Sequence, residues 1–147
     1  MKRLGTIMVG FAMLALFGLS FAQTPEPPKT TEPVTSATPA ATLKVEKIAC
    51  GIGVVERELQ GQDTVFAEST EKVYCWSLVM GGSEGTTVSH VWYHGDKEIA
   101  RVQLPANYPR SRIWSYKSMY SGWKGDWKVE VVDAANQVLR TVTFKIQ

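Results

Sequence analysis

The side chains that could do chemistry are few: two histidines, two cysteines, one glycine-flanked serine and a crowd of aromatic rings beside arginines. His90 and His94 stand four apart. On a helix that spacing makes a metal pair, but on an extended strand it leaves them about 13 Å apart along one face, too far to share an ion. Without a bulge, His90 reads as hydrogen-bonded near a core and His94 as a turn residue, and neither a metal nor a cofactor is expected. Ser83 lies in Gly82-Ser83-Glu84-Gly85, which lacks the G-x-S-x-G pattern and falls between two strands rather than on a strand-to-helix elbow. Glu84 with Asp96, and Asp126 with Asp133, are carboxylates at turns, where local hydrogen bonding accounts for them without acid–base work.

The aromatic crowd stands above background. Six of the ten Trp and Tyr residues fall between Tyr108 and Trp127, namely Tyr108, Trp114, Tyr116, Tyr120, Trp123 and Trp127. Alternation puts Arg110 and Arg112 on the Trp114–Tyr116 face. Flat apolar rings beside guanidinium forks are what a sugar or peptide binder needs. The same arginines have two readings: solvent-face stacking on neighbouring rings, or recognition of a carboxylate or phosphate. Trp92 and Trp127 sit among β-branched residues and read as core. Trp123, flanked by glycines in Ser121-Gly122-Trp123-Lys124-Gly125, either meets a partner or plugs its own loop. The residues singled out for ligand binding are Arg112, Trp114, Tyr116, Tyr120 and Trp123.

Period-two patterning runs through the chain from Leu43, and no long stretch has helical spacing. Strands are expected from Ile48 through Val54, Val73–Met80, Thr86–His94, Lys97–Leu104, Arg110–Ser118, from Gly125, and from Val138 to Ile146. His94-Gly95-Asp96 turns one hairpin and Asp133–Asn136 another. About seven short strands predict an all-β, antiparallel β-sandwich, immunoglobulin-like in general architecture. It is not a true immunoglobulin domain, because Trp76 follows Cys75 directly rather than falling between two cysteines. Cys50 and Cys75, an even count in apolar strand settings, are expected to bridge if the compartment is oxidising; unbridged buried thiols are the other reading.

The compartment follows from the N-terminus. Lys2 and Arg3 precede an apolar run, Ile7 to Leu19, and Ser20-Phe21-Ala22 places small residues before a cut ahead of Gln23. Residues 1–22 therefore read as a secretory signal peptide and the chain as exported, to the periplasm or beyond. No membrane span remains after cleavage; the rival is an uncleaved anchor, since Leu4 to Ala22 carries no charge. With Lys2 and Arg3 removed, the 16 basic residues fall to 14, equal to the 14 acidic ones. Such a balance gives no electrostatic reason to expect nucleic acid or an anionic membrane. Residues 23–42 hold five of the seven prolines and no aromatic, the composition of an unfolded Pro/Thr-rich linker. Residues 43–147 are left as one domain with one core.

Three runs carry a resemblance: His90-Val91-Trp92-Tyr93-His94-Gly95-Asp96-Lys97-Glu98, Arg110-Ser111-Arg112-Ile113-Trp114-Ser115-Tyr116-Lys117, and Gly125-Asp126-Trp127-Lys128-Val129-Glu130-Val131-Val132-Asp133. Their order resembles the bacterial "domain of unknown function 2914" family, with Tyr74-Cys75-Trp76 fitting its earlier portion. The resemblance covers about residues 45–147. It implies an envelope-associated domain and no catalytic residue. Three functional readings follow in order: a non-catalytic module binding an envelope polysaccharide, peptidoglycan or an envelope protein; a structural or assembly domain acting by strand-edge pairing; and a small hydrolase using His90 or His94.

Overall fold

The structure is a computed structural model that describes residues 42–147. The expected signal peptide, and the linker up to residue 41, lie outside the described residues. Among the described residues there is no helix, so none is long and apolar enough to cross a membrane.

Ten strands follow one another: β1 (Lys44–Gly51), β2 (Gly53–Val55), β3 (Glu58–Gln60), β4 (Val65–Phe66), β5 (Lys72–Met80), β6 (Thr87–His94), β7 (Lys97–Pro105), β8 (Arg110–Ser118), β9 (Gly125–Val132) and β10 (Val138–Ile146). One sheet has the order β1-β5-β8 and the other β4-β10-β9-β6-β7, with β2 and β3 as a separate hairpin. All pairings are antiparallel except the short β10–β4 contact. The seven expected strands correspond to β1 and β5 to β10, and the three additions are short. The first expected strand, however, ends at Gly51 and does not run through Val54. Gly51 packs so closely under Leu59 and the Gln60 carbonyl that a Cβ there would collide with them, and the chain turns off into the hairpin.

Turn chemistry closes the long hairpins. Gly95, at φ 57°, takes a left-handed position in the two-residue loop between His94 and Lys97. Between β9 and β10, Asp133 Oδ1 accepts the Ala135 and Gln137 amides at 2.8 Å each, and Asn136 sits at φ 62°.

Each sheet turns its apolar face inward. Val73 and Cys75 of the smaller sheet meet Trp92, Trp127, Val129 and Phe144 of the larger, while Val45, Val79 and Ile113 meet Val88 and Val131 further along. Trp92 and Trp127 are fully buried, as expected of core rings. Cys50 and Cys75 are register partners between β1 and β5, but they are free thiols, so the expected bridge is not present. The hydrogen-bonded ladder already holds them opposite one another, and burial beside the Cys50 thiol pushes the Cys75 thiol well up.

Candidate functional site

Two polar arrangements among the described residues bear on the candidate chemistry, one inside the sandwich and one on its outer surface. Inside, His90 is completely buried. Its Nε2 lies 3.0 Å from Ser77 Oγ and its Nδ1 2.8 Å from Ser115 Oγ, which also accepts Trp92 Nε1 at 3.1 Å. The network ties the two sheets together. Without a charged partner, burial lowers the His90 pKa to about 4. Ser83 has no histidine; its partner is Thr86, at 3.0 Å through the Ser83 amide. His94 ends β6 and donates through Nε2 to the Lys124 carbonyl at 2.8 Å. Its ring stacks on Trp127, with centroids 4.8 Å apart.

Outside, the β1–β5–β8 sheet presents aromatic rings in paired rows. Trp76 is the register partner of Trp114, and Tyr74 of Tyr116. Tyr74 and Tyr116 lie 5.4 Å apart, tilted by 41°, and Lys72 Nζ stands 5.2 Å over the Tyr116 ring. Trp114 is 36% exposed and Tyr116 53%, although neither is at a chain end or on a loop tip. The cause is the strict alternation of β8: Ser111, Ile113 and Ser115 turn inward, so Arg110, Arg112, Trp114 and Tyr116 turn out together.

The β2–β3 hairpin folds onto the same sheet. The Arg57 carbonyl accepts Trp76 Nε1 at 2.8 Å, and Glu58 pairs with Arg112 at 3.1 Å. Trp76 is thereby sealed to 7% exposure while Trp114 stays open. The two-residue turn places Glu56 at φ 50° and Arg57 at φ 66°, positions that favour Asn and Gly. Each such residue costs about 1–2 kcal/mol, and retained strain of this kind concentrates at functional sites. The double substitution Glu56→Asn/Arg57→Gly is expected to raise stability by about 1 kcal/mol net of the added chain freedom of glycine. In a domain of this size that is a Tm rise of about 4–8 °C. An unchanged melting curve would show the turn to be unstrained.

Of the five residues singled out for binding, three meet here: Arg112, Trp114 and Tyr116. Tyr120 is exposed in the loop that follows β8. Trp123 turns inward instead: it stacks on Trp127 at 5.0 Å, and its carbonyl accepts Trp127 Nε1 at 2.9 Å. Lys117 Nζ sits 5.2 Å from its ring. Sequence reasoning missed Tyr74, Trp76 and Arg57. Tyr74 and Trp76 alternate with inward Cys75 and were legible as an outer pair, whereas nothing in Val55-Glu56-Arg57-Glu58 signals a hairpin turn.

No curated protein matches the chain. Among solved structures, an endonuclease/exonuclease/phosphatase from Beutenbergia cavernae superposes with a TM-score of 0.28 at 12% identity, over 74% of this chain and 36% of that one. The chain thus spans about a third of that protein's length, and neither fold nor activity carries over at such a score. The Tyr74-Cys75-Trp76 triplet and the β2–β3 hairpin fall before the segment that a family matches. That segment is residues 85–146, which match the model of the family described as "Protein of unknown function (DUF2914)".

Proposed function

We propose that the protein is a non-catalytic, exported envelope module that holds a saccharide polymer against the outer face of the β1–β5–β8 sheet. The observation that carries this reading is the row of outward rings, Trp114 and Tyr116 backed by Tyr74, on a regular sheet rather than on mobile loops. A pyranose presents one apolar C–H face, which an aromatic ring can cover, and its hydroxyls need donors at the rim. Lys72 and Arg112 supply those donors. A rigid strand holds the rings at fixed spacing, so little ordering cost accompanies binding. The leader-like N-terminus and Pro-rich segment support an envelope location, with the domain held away from its anchor point.

Co-sedimentation with purified peptidoglycan sacculi and with insoluble polysaccharides tests the reading. At least one is expected to pull the protein down. The Trp114→Ala protein is expected to bind at least thirtyfold more weakly, the effect of losing a hot-spot ring worth about 2 kcal/mol. Equal sedimentation of the two proteins would refute the site. A second reading, assembly by strand pairing, is favoured by β8 being a nine-residue edge strand. Its mark would be a defined dimer or a partner of fixed stoichiometry.

A further inference from the structure

We infer that the polymer is acidic, and that a uronate carboxylate seats in a cleft between Arg57, Arg110 and Arg112. This rests on the saccharide reading above and names the ligand class for the same site. A cleft of about 160 Å³ opens at the Arg112 end of the ring row, and its walls include Arg57, Tyr108, Arg110, Arg112 and Trp114. It suits a carboxylate with a few waters and is too small for a sugar ring in addition.

Three elements that are distant in sequence build it. β8 contributes Arg110 and Arg112 on one face, about 7 Å apart by strand geometry. The strained β2–β3 turn contributes Arg57, held there by its carbonyl's bond to Trp76 Nε1. The segment before β8 contributes Tyr108, fixed because the Gly81 amide donates to the Pro109 carbonyl at 2.9 Å. Gly82 abuts the Ala106 carbonyl so closely that any side chain would displace this segment.

The charges do not cancel locally. Glu58 answers Arg112 at 3.1 Å, but among the described residues no carboxylate pairs with Arg57 or Arg110. Two guanidinium forks are thus left for a ligand in a protein whose expected exported part is balanced overall. Guanidinium forks match carboxylates in bidentate geometry. The cleft and the rings are continuous along β8, so one sugar can stack on Trp114 while its own charged substituent reaches Arg110 or Arg112. A charge carried on the pyranose ring meets that geometry; a phosphodiester lying between sugars would separate the charge from the stacked face.

Calorimetric titration of the purified chain with oligogalacturonate and alginate oligomers, beside their methyl-esterified counterparts and polyphosphate, tests this. The acid forms are expected to bind at least tenfold more tightly than the esters at low salt, an advantage that shrinks as salt is raised. Arg110→Gln should remove most of that advantage. Lys97→Gln, a change in exposed charge on β7, should leave it unchanged. Esters binding as tightly as acids, with both lost in Trp114→Ala, would overturn the carboxylate inference and leave the saccharide reading standing. Polyphosphate binding as tightly as the uronates and unaffected by Trp114→Ala would also overturn it, and no binding to any glycan would overturn both.

Discussion

Replacing Ser115 by alanine is expected to lower the unfolding free energy by about 2–4 kcal/mol, more than most single changes at a side chain this small. Ser115 Oγ meets two groups that have no water to turn to, Trp92 Nε1 at 3.1 Å and His90 Nδ1 at 2.8 Å. Both rings are fully buried between the sheets. Removing the hydroxyl orphans one donor and one ring nitrogen, and each unsatisfied buried polar group costs about 1–3 kcal/mol. At present every buried polar side-chain atom among the described residues has a partner. Urea denaturation of the two proteins at neutral pH reads the difference; a loss under about 1 kcal/mol would show that the rings find other partners. The same pair bears on the hydrolase reading. Ser115 and His90 lie within the reach that activates a serine nucleophile, yet the histidine has no exposed surface and the serine only 6%. The arrangement is that of a polar lock across the core, in keeping with the non-catalytic role proposed above.

Acidification is expected to weaken the fold by up to about 3 kcal/mol between pH 6.5 and 4 through His90 alone. The folded-state pKa of about 4 lies below the ordinary histidine value of 6.5, because burial disfavours the imidazolium. In that window the unfolded chain therefore binds a proton that the folded chain refuses. Stability is full above pH 6.5 and falls as pH drops toward 4, by about 1.4 kcal/mol per pH unit. Carboxylates add their own slope at the acid end, so the comparison protein is His90→Asn. It should be less stable at pH 7, through its altered bonds to Ser77 and Ser115, but should lose stability more slowly between pH 6.5 and 5. Parallel pH profiles for the two proteins would show that His90 accepts a proton in the folded state at its ordinary pKa.

Much of the architecture was legible because alternation is a local signal. The β8 run Arg110 to Tyr116 shows its outer face without reference to any other strand, and β9 shows Trp127, Val129 and Val131 pointing inward in the same way. What escaped depends on contacts that the chain does not announce. The β2–β3 turn uses Glu56 and Arg57 where Asn and Gly are the usual signals, so alternation alone carries the first strand straight through to Val54. The glycines around Trp123 leave two readings open, a partner contact or a loop plug, and what decides for the plug is the Trp127 indole four residues on and Lys117 from the end of β8. Cys50 and Cys75 do meet in register, yet they are free thiols, a state that alternation does not report. The cleft between Arg57 and Arg110 joins positions more than fifty residues apart, and no periodicity reports that.

The most direct test of a ligand face on the β1–β5–β8 sheet is a nitrogen-15 NMR titration that follows the five tryptophan indole N–H signals as a co-sedimenting glycan, in soluble form, is added. Each indole reports a different place: Trp92 and Trp127 the core, Trp76 the ground beneath the hairpin, Trp123 the β8–β9 loop, and Trp114 the open row. The expected result is a saturable shift of Trp114, a smaller one of Trp76, and fixed positions for Trp92 and Trp127. A shift of Trp123 with Trp114 unmoved would place the ligand on the loop and contradict the account.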